Sequence, residues 1–362
     1  MKAAILRDLS CPMSIEDIQI SKPKGKEVLV RMAATGVCHS DLHVLTGDLP
    51  QPLPVILGHE SAGVVEQVGP DVRGVRPGDH VVVCLTFHCG HCEQCLNGNS
   101  HRCFTPEAVR SSNEPPRLFR GEESFAQFSQ IGGFAEQILV HESGCVPIRK
   151  DMPLDRACLI SCGVTTGFGA AVRSAKVGVG DIVAVIGCGG VGLAAINGAL
   201  VAGASRIIAV DRLANKLEMA CTFGATDTLD ASEGGVVERV LALTGGRGVD
   251  HAIEAIGRKE TIEDAFAMLA KGGMATIAGI APVGTKLELP AMALLREKGL
   301  RGSLMGGLRT SIDIPHYIEL YMQGRLLLDE LISCRRPLEQ VNQAFDDMRQ
   351  GHLARSVIVL EN

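Results

Sequence analysis

The stretch VGDIVAVIGCGGVG, ending at Gly192, constrains this chain most. An apolar, β-branched run leads into Gly187-Cys188-Gly189-Gly190-Val191-Gly192, a G-x-G-x-x-G loop, and a small-residue helix, NGALVAGA, follows. RIIAVD then reads as a second strand, closed by Asp211, 19 residues after Gly192. NKLEMACTFGAT continues as a helix, and the stretches 248–257 and 273–280 add strands with helix between them. The order βαβαβ implies a parallel, doubly wound sheet. Alone, the glycine motif could be a core turn. In this context its glycines permit a tight turn and the approach of a pyrophosphate to a helix N-terminus. Asp211 would accept hydrogen bonds from the adenosine ribose and repel a 2′-phosphate, which favours NAD over NADP. Arg212 weakens that preference, because an arginine there can pair with the extra phosphate.

The chain before this unit reads differently. KAAIL, SIEDIQI and EVLVRMAAT are short strand-like runs separated by Cys11-Pro12 and by Lys22-Pro23-Lys24-Gly25, and the pattern continues in SAGVVEQV and HVVV. This is a compact β-rich unit. Residues 104–130 form a polar, proline-containing stretch too long to be an idle turn. The stretch 155–171 reads as helical, and SVIVL near the end is a strand that could rejoin the first unit. With 362 residues, two domains are expected.

The β-rich unit also carries metal chemistry. Cys38 and the pair His59-Glu60 lie in GVCHSDLHVLTGDLPQPLPVILGHESAG. Thiolate and imidazole are good zinc ligands, and a catalytic zinc takes three protein ligands with a fourth position open. The third must come from elsewhere; Cys162 lies downstream in a small-residue setting. Asp41 and Glu60 suit roles beside the ligands, orienting an imidazole and tuning the metal. Cys89, Cys92 and Cys95 are spaced three apart, with Cys103 eight further on. Four thiolates so placed suit a closed structural zinc. An iron–sulfur cluster could use them too, but the Cys-Pro ending of the bacterial cluster motif is absent. Zinc makes a bound hydroxyl more acidic, and an alcohol so activated can pass a hydride to a nicotinamide. Ser40 and His43 could relay the proton outward, although a histidine in such a loop could equally be a solvated one.

Composition narrows the classes further. The net charge of −6, with no dominant basic patch, argues against nucleic acid as a partner. The opening MKAAILRDLSCPM is too short and interrupted for a signal peptide. No apolar run approaches the ~20 residues of a membrane span, so no membrane association and a cytoplasmic location are expected. In that setting the 13 cysteines suggest metal and free thiols more than disulfides. Cys11, Cys84, Cys145, Cys158, Cys188, Cys221 and Cys334 have no assigned metal role.

These elements, in this order, resemble the zinc-dependent medium-chain alcohol dehydrogenases: GVCHSD, GHESAGVVEQVG, the four-cysteine lobe, SCGVTTGFGAA, GCGGVG, the Val210-Asp211 pair and LARSVIV. The resemblance implies an α/β protein in which a GroES-like catalytic domain (1–163 and 304–362) carries an inserted Rossmann domain (164–303), with the active site in the cleft. It implies two zinc ions per chain and NAD. Cys38, His59 and Cys162 match catalytic zinc ligands, and Cys89, Cys92, Cys95 and Cys103 match structural ones. Glu60 matches the acid that approaches the zinc during ligand exchange, Asp41 the acid bonded to the zinc histidine, and Ser40 with His43 the proton relay. His39 and Arg355 match pyrophosphate contacts, Thr166 and Val191 residues packed on the nicotinamide, and Lys216 a cation near the adenosine ribose. RGSLMGG resembles the edge strand through which two Rossmann sheets join, so a homodimer is expected, with a tetramer as the alternative.

The resemblance is strongest to class III-like and aryl-alcohol members. Class III enzymes oxidise the formaldehyde–glutathione adduct, with an acid near the position of Leu49 and an arginine near Glu107. Both positions depart from that pattern, although Arg110 is close enough to compensate. Leu49, Leu85 and Leu304 imply an apolar, roomy pocket suited to a primary alcohol with an aryl, allylic or terpenoid body. The rival readings are a thiol-dependent formaldehyde dehydrogenase, a polyol or threonine dehydrogenase, and a nucleotide-sensing zinc scaffold without enzymatic activity.

Overall fold

The computed structural model describes residues 1–104, 108–110, 113–351 and 353–360. The backbone forms two compact units. One comprises Met1–Cys162, Arg309–Gln323 and Leu328–Asn362; the other comprises Gly163–Leu308 and Gly324–Leu327.

The first unit is built on strand Glu27–Gly36 (EVLVRMAATG), buried along most of its length. Its β-branched and apolar residues suit a strand packed on both faces. It pairs antiparallel with Glu60–Val68, Gln137–His141 and Arg355–Val359 within a seven-stranded sheet. Val28, Val30, Met32, Val81, Val83, Phe134, Ile138 and Ile358 form the centre of its core. The register decides which residues meet. Gly36 lies opposite Glu60 and also opposite Val357. The end of one strand, the start of the second and the start of the third therefore converge, bringing Cys38, His59 and Arg355 to one end of the sheet. Helix Leu154–Ile160 packs over Glu27–Gly36 and Glu60–Val68 and delivers Cys162 just beyond its end.

The helix expected over 155–171 is divided. Leu154–Ile160 ends at Ser161, whose hydroxyl donates to the Cys158 carbonyl at 2.6 Å, and a second helix, Gly163–Gly169, begins after Cys162. The stretch 104–130 carries short strands at Leu118–Arg120, Glu123–Ser124 and Ala126–Gln127. An ion-pair cluster ties it down: the buried Glu27 carboxylate accepts from Arg110 Nε at 2.7 Å and Arg117 Nε at 2.8 Å. Glu107 lies outside the described residues.

The second unit is a six-stranded parallel sheet. Its order is Asp227–Asp230, Arg206–Asp211, Ile182–Ile186, Val249–Glu254, Leu269–Ile277 and Gly299–Gly302. The chain order reverses between Ile182–Ile186 and Val249–Glu254, the switch point beside which open α/β sheets bind ligands. The strand expected at 273–280 begins earlier and stops at Ile277. There the Ala278 N–H makes the last ladder bond, to the Glu254 carbonyl, and the Gly279 N–H turns to that same carbonyl instead of continuing the ladder. Gly299–Gly302 is an edge strand, and residues 304–307 of the expected RGSLMGG strand form a tight helical turn instead. Among the described residues, no helix is long and apolar enough to cross a membrane.

Candidate metal centres and nucleotide loop

Ligand atoms of Cys38, His59, Glu60 and Cys162 lie within 4.8 Å of one another, and all four residues are buried. Cys38 stands immediately before helix His39–Leu45, and His59 immediately before strand Glu60–Val68. His59 Nδ1 lies 3.2 Å from Asp41 Oδ1. Asp41 is fully buried and also accepts the Gly58 N–H at 2.8 Å. With Nδ1 held this way, Nε2 is the nitrogen left for a metal. Phe128 packs edge-on to the same imidazole, ring centres 5.4 Å apart.

Charge in this site favours a cation. Burial alone would lower the His59 pKa, but the charges of Asp41 and Cys38 overcome it and hold the imidazole well above its ordinary value. Burial also pushes the Glu60 carboxyl up to about 8, against the pull of Arg355. Arg355 is itself buried; it donates to Glu60 Oε1 at 2.7 Å and to the Val37 carbonyl at 3.1 Å. Two thiols and an imidazole oriented by a carboxylate fit a zinc ion.

The second cluster is half-exposed and local. Its sulfur–sulfur distances include 3.5 Å for Cys92–Cys95, 3.6 Å for Cys89–Cys103, 3.8 Å for Cys92–Cys103 and 4.0 Å for Cys89–Cys95. Backbone N–H groups of Cys89 and Cys92 point at the sulfurs of Cys103 and Cys89, both at 3.3 Å. Hydrogen bonds from the Phe104 and Cys95 backbone hold the Cys92 thiol down, to about 6. Four converging thiols with backbone donors fit a closed, four-coordinate zinc.

Ser40 Oγ lies 3.9 Å from Cys38 Sγ. His43 Nδ1 sits 3.6 Å from Asp48 Oδ2 rather than against Ser40, so a relay between them needs a bridging group. His39 is exposed on the first turn of its helix. Leu49 and Leu85 are half-buried against the core of the first unit, and Leu304 is 62% exposed.

In the second unit, helix Gly190–Ala202 follows the glycine loop with Gly189 at its N-cap. Gly187 has φ +92°, and a Cβ there would lie 2.5 Å from Ile256 Cγ1; one on Gly192 would lie 1.7 Å from the Gly187 carbonyl oxygen. A Cβ on Gly189 would meet nothing within 4 Å. Packing therefore excludes side chains at 187 and 192, while open space lies beside Gly189 at a helix N-terminus, which fits a bound phosphate. The Asp211 carboxylate accepts the backbone N–H groups of Cys188 (2.8 Å), Arg212 (2.7 Å) and Leu213 (3.1 Å). Lys216 and Val191 are half-buried, Arg212 is exposed, and Thr166 is buried with its hydroxyl 3.6 Å from Met305 Sδ.

The pairing of Arg355 with Glu60 and the Phe128 contact are absent from the sequence reading. Each joins residues far apart in the chain, and no local pattern marks either.

Residues 24–150 match the family model described as alcohol dehydrogenase GroES-like domain, and residues 190–323 match zinc-binding dehydrogenase. The S-(hydroxymethyl)glutathione dehydrogenase of Saccharomyces cerevisiae is 38% identical over 370 residues, covering 98% of this chain and 95% of that protein. The NDMA-dependent alcohol dehydrogenase of Amycolatopsis methanolica is 37% identical, covering 99% and 98%. The crystal structure of benzyl alcohol dehydrogenase from Acinetobacter calcoaceticus superposes with a TM-score of 0.93 at 32% identity over 99% of each chain. The chain belongs to the zinc-type, medium-chain alcohol dehydrogenase family. It joins a GroES-like part to a Rossmann-type part and is an oxidoreductase of that class.

Proposed function

We propose that this protein oxidises a primary alcohol with an apolar aryl or allylic body to the aldehyde, reversibly, with NAD as hydride acceptor. In this reading the GroES-like unit holds two zinc ions and the parallel-sheet unit holds NAD. Cys38, His59 and Cys162 would bind the catalytic zinc, and Cys89, Cys92, Cys95 and Cys103 the structural one. Bound zinc would supply Lewis acidity, making the substrate hydroxyl more acidic and, in reverse, polarising the carbonyl.

The chain's own residues would do the rest. Asp41 fixes the His59 ring, and Arg355 holds the Glu60 carboxyl in place beside the two sulfurs. Ser40, two residues from Cys38, would accept the substrate hydroxyl proton while releasing its own through a bridging hydroxyl or water to the partly exposed His43, which would pass a proton to solvent. Asp211 would bind the adenosine ribose with Lys216 nearby. Gly187 to Gly192 would receive the pyrophosphate with help from His39 and Arg355, the latter sharing its guanidinium with Glu60. Thr166 and Val191 would pack on the nicotinamide.

One observation carries the substrate class. Arg110, which could have replaced the arginine missing at Glu107, is committed elsewhere: its guanidinium donates to both oxygens of Glu27 and, at 2.7 Å, to the Pro115 carbonyl. Leu49 offers no acid. Neither group needed to hold a charged thiol cosubstrate is therefore available from these positions. The test follows NADH formation by zinc-loaded protein with benzyl alcohol, cinnamyl alcohol, geraniol and ethanol, against formaldehyde with and without glutathione. Turnover of the bulky alcohols without thiol is expected. Turnover restricted to formaldehyde plus glutathione would replace this reading with the thiol-dependent one. We also infer a homodimer through the edge strand Gly299–Gly302. The exposed Met292, Leu294 and Leu295 offer further apolar surface for such a contact, and light scattering would report the mass.

A further inference from the structure

One buried charged side chain in the parallel-sheet unit has no part in the chemistry above. Glu254 ends strand Val249–Glu254, in register with Ile186, the last residue before the glycine loop. Its side chain is fully buried. Oε1 accepts three hydrogen bonds: from the backbone N–H of Ile256 at 2.9 Å, from that of Gly257 at 2.7 Å, and from Thr261 Oγ1 at 2.8 Å. Oε2 is buried with no hydrogen-bond partner. Burial pushes the carboxyl above its ordinary pKa, against the lowering pull of the hydrogen bonds it accepts.

The turn fixed in this way sits on the glycine loop. The Ala255 N–H donates to the Ile186 carbonyl at 2.9 Å. Ile256 then lies over Gly187, its Cγ1 only 2.5 Å from where a Cβ would be. On its other side the turn abuts the chain leaving the next strand: a Cβ on Gly257 would fall 2.3 Å from the Ile280 carbonyl oxygen. The 255–257 turn therefore packs close against Gly187 on one side and Ile280 on the other, with the Ile256 side chain still partly exposed. A plain turn would not need a buried carboxyl, because a neutral Ser, Thr or Asn side chain can accept from its backbone donors at lower desolvation cost.

We propose that Glu254 is a positioning residue for dinucleotide binding: by gathering the Ile256, Gly257 and Thr261 donors on one oxygen, it clamps the 255–257 turn over Gly187 and fixes the loop that receives the pyrophosphate. This rests on the reading that the second unit binds NAD.

The test uses full-length, zinc-loaded protein and NADH fluorescence titration, with NADPH as a second probe, alongside steady-state kinetics and thermal unfolding. Glu254→Ala should raise the NADH Kd and the KM for NAD about tenfold, the scale of a lost buried acceptor. Zinc content should be unchanged, and kcat at saturating NAD should stay within about threefold, since only cofactor binding is weakened. Glu254→Gln, which keeps the acceptor oxygen, should restore the Kd to near wild type. Thr261→Val, which removes one donor, should raise the Kd about threefold, and it decides the matter if Glu254→Ala does not fold. A Glu254→Ala protein with a lower unfolding midpoint but an unchanged Kd would overturn the clamp and leave the NAD reading standing. Failure of Glu254→Gln to rescue would overturn it as well. Wild-type protein that binds neither NADH nor NADPH would overturn both.

Discussion

Cys89, Cys92, Cys95 and Cys103 come from one short lobe, whereas Cys38, His59 and Cys162 come from three segments united by the sheet register and by the helix packed over it. The lobe cysteines are half-exposed, their sulfurs held by backbone N–H groups of the lobe itself. The other site is buried, and a carboxylate, a phenyl ring and a buried ion pair surround it. Four protein donors close a coordination sphere; three leave a place for a reacting oxygen. On the proposed reading, the contrast would separate a centre that holds a lobe together from one that does chemistry.

Substitutions can break that contrast. The largest effect is expected for Cys162→Ala: loss of NADH-forming activity by about 10³-fold or more, since a Lewis acid supplies several kcal/mol to such a reaction. Metal analysis should still find one zinc per chain, in the lobe. Next comes Cys103→Ala. It should remove the lobe zinc and lower the unfolding midpoint by roughly 5–10 °C, because a structural zinc contributes folding free energy directly. The buried zinc should remain, and equal loss of both metals would show that the centres are not separate. Asp41→Asn should weaken the buried zinc about 10–100-fold in chelator competition while leaving the lobe zinc untouched.

The smallest effect concerns pH and sharpens the account of the loop that follows the lobe. Burial raises the Glu27 pKa, but its hydrogen bonds and charge pairing with Arg110 and Arg117 outweigh burial and leave it lowered. A depressed pKa means stability that is present above the unfolded value of about 4.5 and lost as pH falls through the folded one. Wild-type unfolding should therefore show an acid-side loss that Glu27→Gln, already destabilised at neutral pH, lacks. An identical acid profile for the two proteins would remove Glu27 from the account.

What could be read in advance follows the same contrast. The lobe was legible because its four sulfurs are close in sequence, and the glycine loop because strand, loop and helix are contiguous. Cys38 and His59 were legible as residue types, but their meeting depends on Gly36 lying opposite Glu60. The Glu60–Arg355 pair spans 295 positions and the Arg110–Glu27 pair spans 83, distances at which side-chain periodicity carries no signal. Glu254 had a faint one: an acid inside the apolar stretch AIEAIG that closes the strand-like run GVDHAIEAIG. The helix read as continuous over 155–171 broke at Ser161 and Cys162, where helix propensity is a weak prior against tertiary placement.

The most direct test of the central claim compares wild-type protein with His59→Ala, measuring zinc per chain and NADH formed from benzyl alcohol in the same samples. The account predicts two zinc ions and turnover for wild type, and one zinc with turnover lower by about 10³-fold for the variant. A variant that loses one zinc but keeps wild-type turnover would contradict it, because the buried cluster would then not be where the alcohol is oxidised.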